Sequence, residues 1–376
     1  MTESVSPVRP SQLHQLLQCP GSLSMQLKYP QLGDTTAADE GTAAHWAMWK
    51  YLTPGEPTPK VGDIAPNGIV LTDEMIDSAW YIFDDVVSTL GPNWAQVVQV
   101  EQPVTMNTLY PGMWGTPDVR AQLTPRLRYT WDLKHGHNQV EVFENPQLVA
   151  YGTDDARPKD PNMVHVFKIV QPRSFHRDGI IREWRVFDKD LETMRCDISK
   201  AAYTARGPNP PLLTGPACEN CDARHVCPAL QTRAYQSCET AGKAQPVEMS
   251  PLALGIELRI LWDALDRLKA RISGLEASAE DQIRKGVRVP LVDLTAGRGS
   301  TEWSMPDAQI VEIAKMLGVD VARPLKAVTP NQAKKAGLNP DLIAAYTSTT
   351  PGALRLTPEN LTQARKVFGP QPPSLL

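Results

Sequence analysis

Two rhythms of apolar residues lay out the chain: a helical spacing in some stretches and a strand-like alternation in others. Between Asp73 and Leu90, Met75, Ile76, Ala79, Ile82, Phe83, Val86 and Val87 recur on one face of a helix. Ala38 to Trp49 reads as a second helix, with Glu40 and His45 near its start, and Ser11 to Leu17 as a short one with Ser11 as N-cap, ended by Cys19-Pro20-Gly21. Residues 53–68 are rich in proline and glycine and read as a surface loop. Alternation predicts strands at Ala95 to Val104, Met113 to Leu123 and Leu127 to Leu133, the last two joined by a tight turn at Thr124-Pro125-Arg126. A helix over 145–155 follows, with Asn145 as cap and Pro146 in the first helical position. Met163 to Gln171 and Ile180 to Val186 read as strands, and Asp190 to Arg206 as a helix. This order implies an α/β core with a mixed sheet.

The C-terminal part has a different rhythm. A proline-rich loop at 207–216 leads into Cys218-X2-Cys221-X5-Cys227-Pro228. After a polar stretch at 238–249, Ser250-Pro251 opens a helix over 250–285 with apolar positions Leu254, Leu258, Leu261, Leu265, Leu268, Ile272, Leu275 and Ala279, spaced 4, 3, 4, 3, 4, 3, 4. That is a heptad seam, suited to an intramolecular packing helix or to a coiled coil that makes a homo-oligomer. Val287 to Leu294 and Thr301 to Ser304 read as strands around Ala296-Gly297-Arg298-Gly299, followed by short helices near 307–317 and 330–336 and a fraying tail at 350–376. Two domains are expected, 1–240 and a mainly helical accessory domain at 250–376.

Composition narrows the class. Hydrophobic residues are 41% and charged residues 21% of 376, which suits a globular protein with a real core. No apolar run approaches the ~18 residues of a membrane span. The opening Met1-Thr2-Glu3-Ser4-Val5-Ser6 lacks the basic and apolar regions of a signal peptide, so a cytoplasmic protein is expected. In that compartment cysteines serve more often as metal ligands than as disulfides. With a net charge of −4, a nucleic-acid partner has to be held by local patches and bound cations.

The densest chemistry lies in residues 112–151. Hydrolysis of a phosphodiester needs a metal, and a hard cation such as Mg²⁺ takes carboxylate oxygens. Asp118 and Asp132 are the candidates, and Lys134, two residues along the strand from Asp132, shares its face and can orient a water. Gly115 permits close backbone approach before Asp118. Gln147 and Tyr151, at i and i+4, stand one above the other on a helix. Taken singly these are ordinary residues: an Asp-X-Lys triplet arises by chance, and a lone His45 on an apolar helix suits a core.

In this order and spacing, Gly115-X2-Asp118, Asp132-X-Lys134 and Gln147-X3-Tyr151 resemble the RecB-like nuclease branch of the PD-(D/E)XK superfamily, and Glu40-Gly41-Thr42-Ala43-Ala44-His45 resembles its upstream motif. The chain is similar over residues 10–235 to a phage and prophage family of such nucleases. The resemblance implies a restriction-endonuclease-like core, with His45, Asp118, Asp132 and the Leu133 carbonyl holding Mg²⁺ or Mn²⁺. It also implies that Lys134 serves the attacking water, and that Gln147 and Tyr151 contact DNA or order the site. Pro117 before Asp118 departs from the pattern, and His135 and His137 flank the strand, with His135 a candidate DNA contact. The function implied is a metal-dependent DNA exonuclease in phage recombination or DNA processing, acting on linear duplex or single strands in the host cytoplasm. A single-strand annealing or single-stranded-DNA-binding protein is the expected partner. A structure-specific endonuclease and a non-catalytic DNA-binding scaffold are the alternatives.

Cys218, Cys221 and Cys227 lie within ten residues and need a fourth ligand, for which Cys19, also followed by proline, is the candidate, with His225 a substitute. Cys196 and Cys238 read as ordinary thiols. All-thiolate ligation suits zinc or iron–sulfur. AddB-type and CRISPR-associated RecB-like nucleases are similar in this respect and imply a [4Fe–4S] cluster. Arg298, near Arg284, Lys285 and Arg288, and Trp303 are further candidates for contact with DNA phosphates and bases.

Overall fold

The computed structural model describes residues 6–32, 35–157, 159–241 and 249–295, with the single positions Glu312, Met316, Arg365 and Lys366. The chain divides into two units, Met1–Val292 with Asn360–Leu376, and Asp293–Glu359; the elements below belong to the first. The expected helices at 307–317 and 330–336, the strand at 301–304, and the candidates Arg298 and Trp303 lie outside the described residues.

In chain order the helices and strands are α1 (Leu13–Gln18), α2 (Ser22–Lys28), α3 (Thr36–Leu52), α4 (Asp73–Leu90), α5 (Trp94–Val97), β1 (Val98–Val100), β2 (Val104–Thr105), β3 (Trp114–Gly115), β4 (Val119–Thr124), β5 (Leu127–Leu133), α6 (Pro146–Gly152), β6 (Val164–Val170), β7 (Ile181–Phe187), α7 (Glu192–Arg206), α8 (Pro228–Ala241) and α9 (Pro251–Arg284). Five strands form one mixed sheet in the order β1-β4-β5-β6-β7, and β2 pairs with β3 in a separate two-stranded sheet. Within the large sheet β5 and β6 are parallel and the other pairings antiparallel. The parallel pair requires a crossover, and α6 lies in it.

The sheet is covered on both faces. Val119, Ala121, Tyr129, Trp131, Leu133, Val164, Val166 and Val170 pack against α3 and α4. Phe167, Ile169, Trp184 and Val186 pack against α1, α6 and α7. With both faces covered, β5 and β6 bury every residue, including Arg128, Asp132, His165 and Lys168, whose polar groups meet Gln122, Lys134, Asp188 and Asp85. The helix ends follow local chemistry: the Thr72 hydroxyl accepts from Met75 N at the start of α4, and the Asn145 side chain accepts from Gln147 N and Leu148 N at the start of α6. Among the described residues no helix is long and apolar enough to cross a membrane.

Several elements depart from the sequence expectation. The strand expected at Ala95 to Val104 is a helical turn and two short strands, because Glu101 takes a φ of 47° and Pro103 has no N–H to continue a ladder. The strand expected at Met113 to Leu123 is broken at Thr116-Pro117-Asp118 for the same lack of a donor, so β3 and β4 belong to different sheets. The helix expected over 145–155 stops at Gly152, since Asp154 turns inward to Arg120 (2.7 Å) and Asp155 binds Asn107 N (2.8 Å). Ser11 lies inside a 3₁₀ turn at Pro10–Gln12 rather than capping a helix. Val287 to Leu294 forms no strand among the described residues: Pro290 lacks a donor and Leu291 has a φ of 70°. Helices α2 and α8 had no expectation in the sequence.

Candidate active site

The break at Pro117 and the end of β5 bring the two aspartates together. Asp118 leads into β4, beside β5, and its Oδ2 accepts the Leu133 N–H at 2.7 Å. Its Oδ1 lies 3.2 Å from His45 Nδ1, and the other ring nitrogen of His45, Nε2, lies 3.1 Å from the Leu133 carbonyl oxygen. Both ring nitrogens therefore face acceptors, an arrangement that a doubly protonated imidazole satisfies. Burial acts to lower the His45 pKa, but the Asp118 carboxylate prevails and the imidazole is pushed up to about 9.

The second half of the cluster centres on Asp132. Its Oδ2 lies 2.8 Å from Lys134 Nζ, and its Oδ1 accepts from Gln147 Nε2 at 3.1 Å. Lys134 also donates to Gln147 Oε1 (3.3 Å), while its backbone N–H donates to Val170 O and prolongs the ladder beyond β5. Gln147 Nε2 reaches Tyr151 OH at 3.5 Å, and that hydroxyl donates to Thr116 O at 3.0 Å. Asp132 and Asp118 are both buried. Burial raises both carboxyls; at Asp118 the His45 charge and the Leu133 N–H outweigh it, whereas at Asp132 burial and the Asp118 charge outweigh Lys134 and leave the pKa above the ordinary range. Burial lowers the Lys134 pKa, and the two aspartates more than restore it.

Gly115 has a steric role that its place in the motif did not reveal. A Cβ there would stand 2.7 Å from Pro10 Cγ and 3.2 Å from Tyr151 Cε1. Neither the proline ring nor the buried tyrosine has room to yield. We expect Gly115→Ala to cost about 1–3 kcal/mol of stability through overpacking, read by denaturant unfolding. A variant as stable as the parent would mean that the Pro10 contact does not hold the site.

Sequence reasoning named His135 and Glu40 but not the ring they form with Ser78, Glu74 and Arg173. His135 is buried, with Nδ1 3.0 Å from the Ser78 hydroxyl and Nε2 2.8 Å from Arg173 Nη1. Burial first, then the Arg173 charge, pushes its pKa down to about 4. It is thus a neutral acceptor that positions Arg173, and offers no cation to a phosphate itself. Arg173 also pairs with Glu40 (3.2 Å) and Glu74 (3.1 Å). Only the parallel register of β5 and β6 carries Arg173 to this place, so no local spacing announces it. Glu101, in a left-handed conformation rare for glutamate, donates its N–H to Asp118 O, and burial raises its carboxyl pKa. His137 lies apart, its Nδ1 3.1 Å from Arg173 O.

The donor chemistry fits a hard divalent cation: two carboxylates, a backbone carbonyl and an imidazole in one cluster. One ring nitrogen of His45 can bind an ion, and the two face different acceptors, Nδ1 at 3.2 Å from Asp118 Oδ1 and Nε2 at 3.1 Å from the Leu133 carbonyl oxygen, so a cation held by all three needs the ring to turn. Asp132, however, directs its oxygens to Lys134 and Gln147, and among the described residues no three His, Cys, Asp or Glu side chains converge closely enough to hold one ion.

Cys19, Cys218, Cys221 and Cys227 line one cavity, together with Gln15, Gln18, Met25 and Arg224. All four are free thiols. Leu213 N donates to Cys19 Sγ at 3.3 Å and Gly215 N to Cys218 Sγ at 3.5 Å. His225 does not line the cavity; its Nδ1 lies 3.0 Å from Asp222 O and its ring meets Tyr29 edge-on. Burial raises the Cys218 pKa and pushes that of Cys221 up to about 11. Two buried guanidinium nitrogens at this place, Arg224 Nε and Arg267 Nε, have no hydrogen-bond acceptor, and the Arg267 charge acts on Cys218. A thiolate-ligated centre carries the negative charge that these groups lack, and in that respect the cavity fits one, although the four thiols do not converge closely enough to hold a single ion.

Residues 7–360 match a family model described as Protein of unknown function (DUF2800). No curated protein matches the chain.

Proposed function

The chain belongs to the DUF2800 family, and from the geometry of its site we propose that it is a divalent-cation-dependent DNA nuclease with a RecB-like PD-(D/E)XK core, acting as an exonuclease in phage recombination or DNA processing. One observation carries this reading: His45, Asp118 and Leu133 form one hydrogen-bonded group and Asp132, Lys134, Gln147 and Tyr151 a second, and the backbone of Asp132-Leu133-Lys134 at the end of β5 joins these four separate stretches of sequence. His45, Asp118, Asp132 and the Leu133 carbonyl would hold Mg²⁺ or Mn²⁺. The cation would supply the charge that polarises a phosphate and lowers the pKa of water.

The chain's own residues do the rest. His45, placed between Asp118 and the Leu133 carbonyl oxygen, would give up a proton to act as a ligand of the cation. Lys134 holds the attacking water and offsets the charge that develops on the phosphate. Gln147 fixes Asp132 and Lys134 relative to each other, and Tyr151 ties that helix to Thr116 beside Asp118. Arg173 faces this cluster through His135 and supplies a guanidinium to a neighbouring backbone phosphate, exchanging it for the exposed Glu74.

The test is hydrolysis of linear duplex and single-stranded DNA with Mg²⁺ or Mn²⁺, with chelator, and with Asp132→Asn. Product formation that requires the cation and disappears in Asp132→Asn is expected; a wild type inert on both substrates would sink the proposal.

For the cysteine cavity we propose a [4Fe–4S] cluster held by Cys19, Cys218, Cys221 and Cys227. Arg224 and Arg267 would offset its charge, and the N–H groups of Leu213 and Gly215 would tune it. The same thiols suit zinc. Anaerobically purified protein with broad visible absorption supports the cluster, and a colourless, zinc-loaded protein overturns it.

A further inference from the structure

Helix α9 uses one face to dock and leaves another open. Docking falls on Ala270, Arg271, Ser273 and Gly274. Arg271 Nη1 donates to the carbonyls of Arg224 and His225, Ser273 Oγ accepts from Arg224 Nη2 at 3.4 Å, and Ala270 is buried. A Cβ on Gly274 would stand 2.8 Å from His225 N, so the helix backbone lies directly on the cysteine segment. None of these residues belongs to the heptad seam. Counted in heptads, with Leu258, Leu265, Ile272 and Ala279 at a and Leu254, Leu261, Leu268 and Leu275 at d, the docking residues are b, c, f and g, on the opposite side of the helix.

Most of the seam is open, while Leu258, Leu268 and Ala279 are half-buried. Leu254, Leu261, Leu265, Ile272 and Leu275 are each 46% to 53% exposed. An intramolecular packing helix would have buried these positions; here the intramolecular contact has taken the small residues and left the leucines. We infer that this seam is the interface of a homodimer, in which α9 of a second copy of this chain pairs as a two-stranded coiled coil.

Three features select a second copy. First, the repeat is 3.5 residues over all eight positions, the period at which two helices stay in register along a left-handed supercoil, whereas an ordinary globular face drifts at 3.6. Second, the seam runs roughly 38 Å, and among the described residues α9 alone is long enough to match it, the next longest helix, α4, having 18 residues. Third, five large apolar side chains, each about half exposed along one face, make a contiguous apolar patch of the kind that marks a protein interface. Flanking residues are compatible with this: Arg271 at g and Glu276 at e carry opposite charges, and no like-charged pair faces across a parallel seam.

Sedimentation equilibrium of the full chain tests this. The wild type is expected at twice 41.4 kDa. Leu261→Lys/Leu265→Lys is expected at 41.4 kDa with an unchanged circular dichroism spectrum, because both leucines are exposed in the single chain. Ile260→Lys, also exposed but off the seam, keeps the dimer. A wild type that stays at the single-chain mass at micromolar concentration overturns the inference. So does a double variant that remains a dimer, or an Ile260→Lys that dissociates as fully as the seam variant.

Discussion

Lys134→Met is expected to lower the proposed DNA hydrolysis by about 10²- to 10⁴-fold in a protein that still folds and keeps its proposed binding to DNA. The size of the effect follows from where the charge sits. Lys134 Nζ is 2.8 Å from Asp132 and 3.3 Å from Gln147, so it is held over the same carboxylate that would hold the cation. Methionine keeps the length and the apolar stem and removes only the ammonium. Stability should fall far less than activity. Losing one partner of a fully buried ion pair costs about 3–5 kcal/mol, but the Lys134 side chain is about a quarter exposed and solvent discounts that figure. Asp132 also has a way to relax: its pKa is already raised, and without Lys134 it takes up a proton more readily and remains bonded to Gln147. Turnover, DNA affinity and thermal unfolding of the same preparation check the prediction. Undiminished turnover would remove Lys134 from the chemistry; weakened binding at unchanged turnover would recast it as a phosphate contact.

The parts of this site that were legible in the sequence are those set by local spacing. Asp132 and Lys134 share a face because strands alternate, and Gln147 and Tyr151 share one because helices turn every 3.6 residues. Asn145-Pro146 announced the start of α6. The broken strands were not legible, because an apolar alternation does not record which sheet each half joins. Pro117 looked like a departure from the motif; in the fold it is the residue that ends one ladder and lets Asp118 turn to Leu133 N and His45. Arg173 and Glu101 were invisible for a related reason. Each reaches the site through pairing between distant strands, Arg173 beyond β6 and Glu101 at the end of β1, and nothing within ten residues of either marks it. The heptad spacing of α9 is legible as a helix, but it leaves open which face meets the rest of the chain. That choice depended on Ala270 and Gly274, small residues that carry no periodic signal and yet let the helix lie against Arg224 and His225.

Cys19→Ser should abolish both the metal centre and the nuclease, although Cys19 lies outside the catalytic cluster. The proposed clasp would join Cys19 to Cys218 and close a loop of about 200 residues, and losing it would forfeit stabilisation on the order of 5 kcal/mol that comes from restricting the unfolded chain. Contacts beneath the clasp are few and specific: Gly21 N donates to Pro211 O at 2.9 Å, Ala217 N donates to Gln18 Oε1 at 3.1 Å, and a Cβ at Gly21 would meet Leu212 at 2.7 Å. What the clasp holds is the N-terminal segment, and that segment reaches the active site. Leu13 and Leu16 of α1 are fully buried in the core that also contains Tyr151, and Pro10, just before α1, presses on Gly115 and stands at the ring of Tyr151. Loosening it frees Tyr151, then Gln147, then the fixed relation of Lys134 to Asp132. Cys196→Ser, at an exposed thiol, is the control and should change nothing. Iron and zinc content, visible absorption, thermal unfolding and DNA hydrolysis are read on both variants. Loss of metal with a lower melting temperature and lost turnover is expected for Cys19→Ser alone. A Cys19→Ser protein with full metal content and parental stability would place the fourth ligand elsewhere. One that loses metal but keeps its stability and turnover would separate the centre from the catalytic cluster.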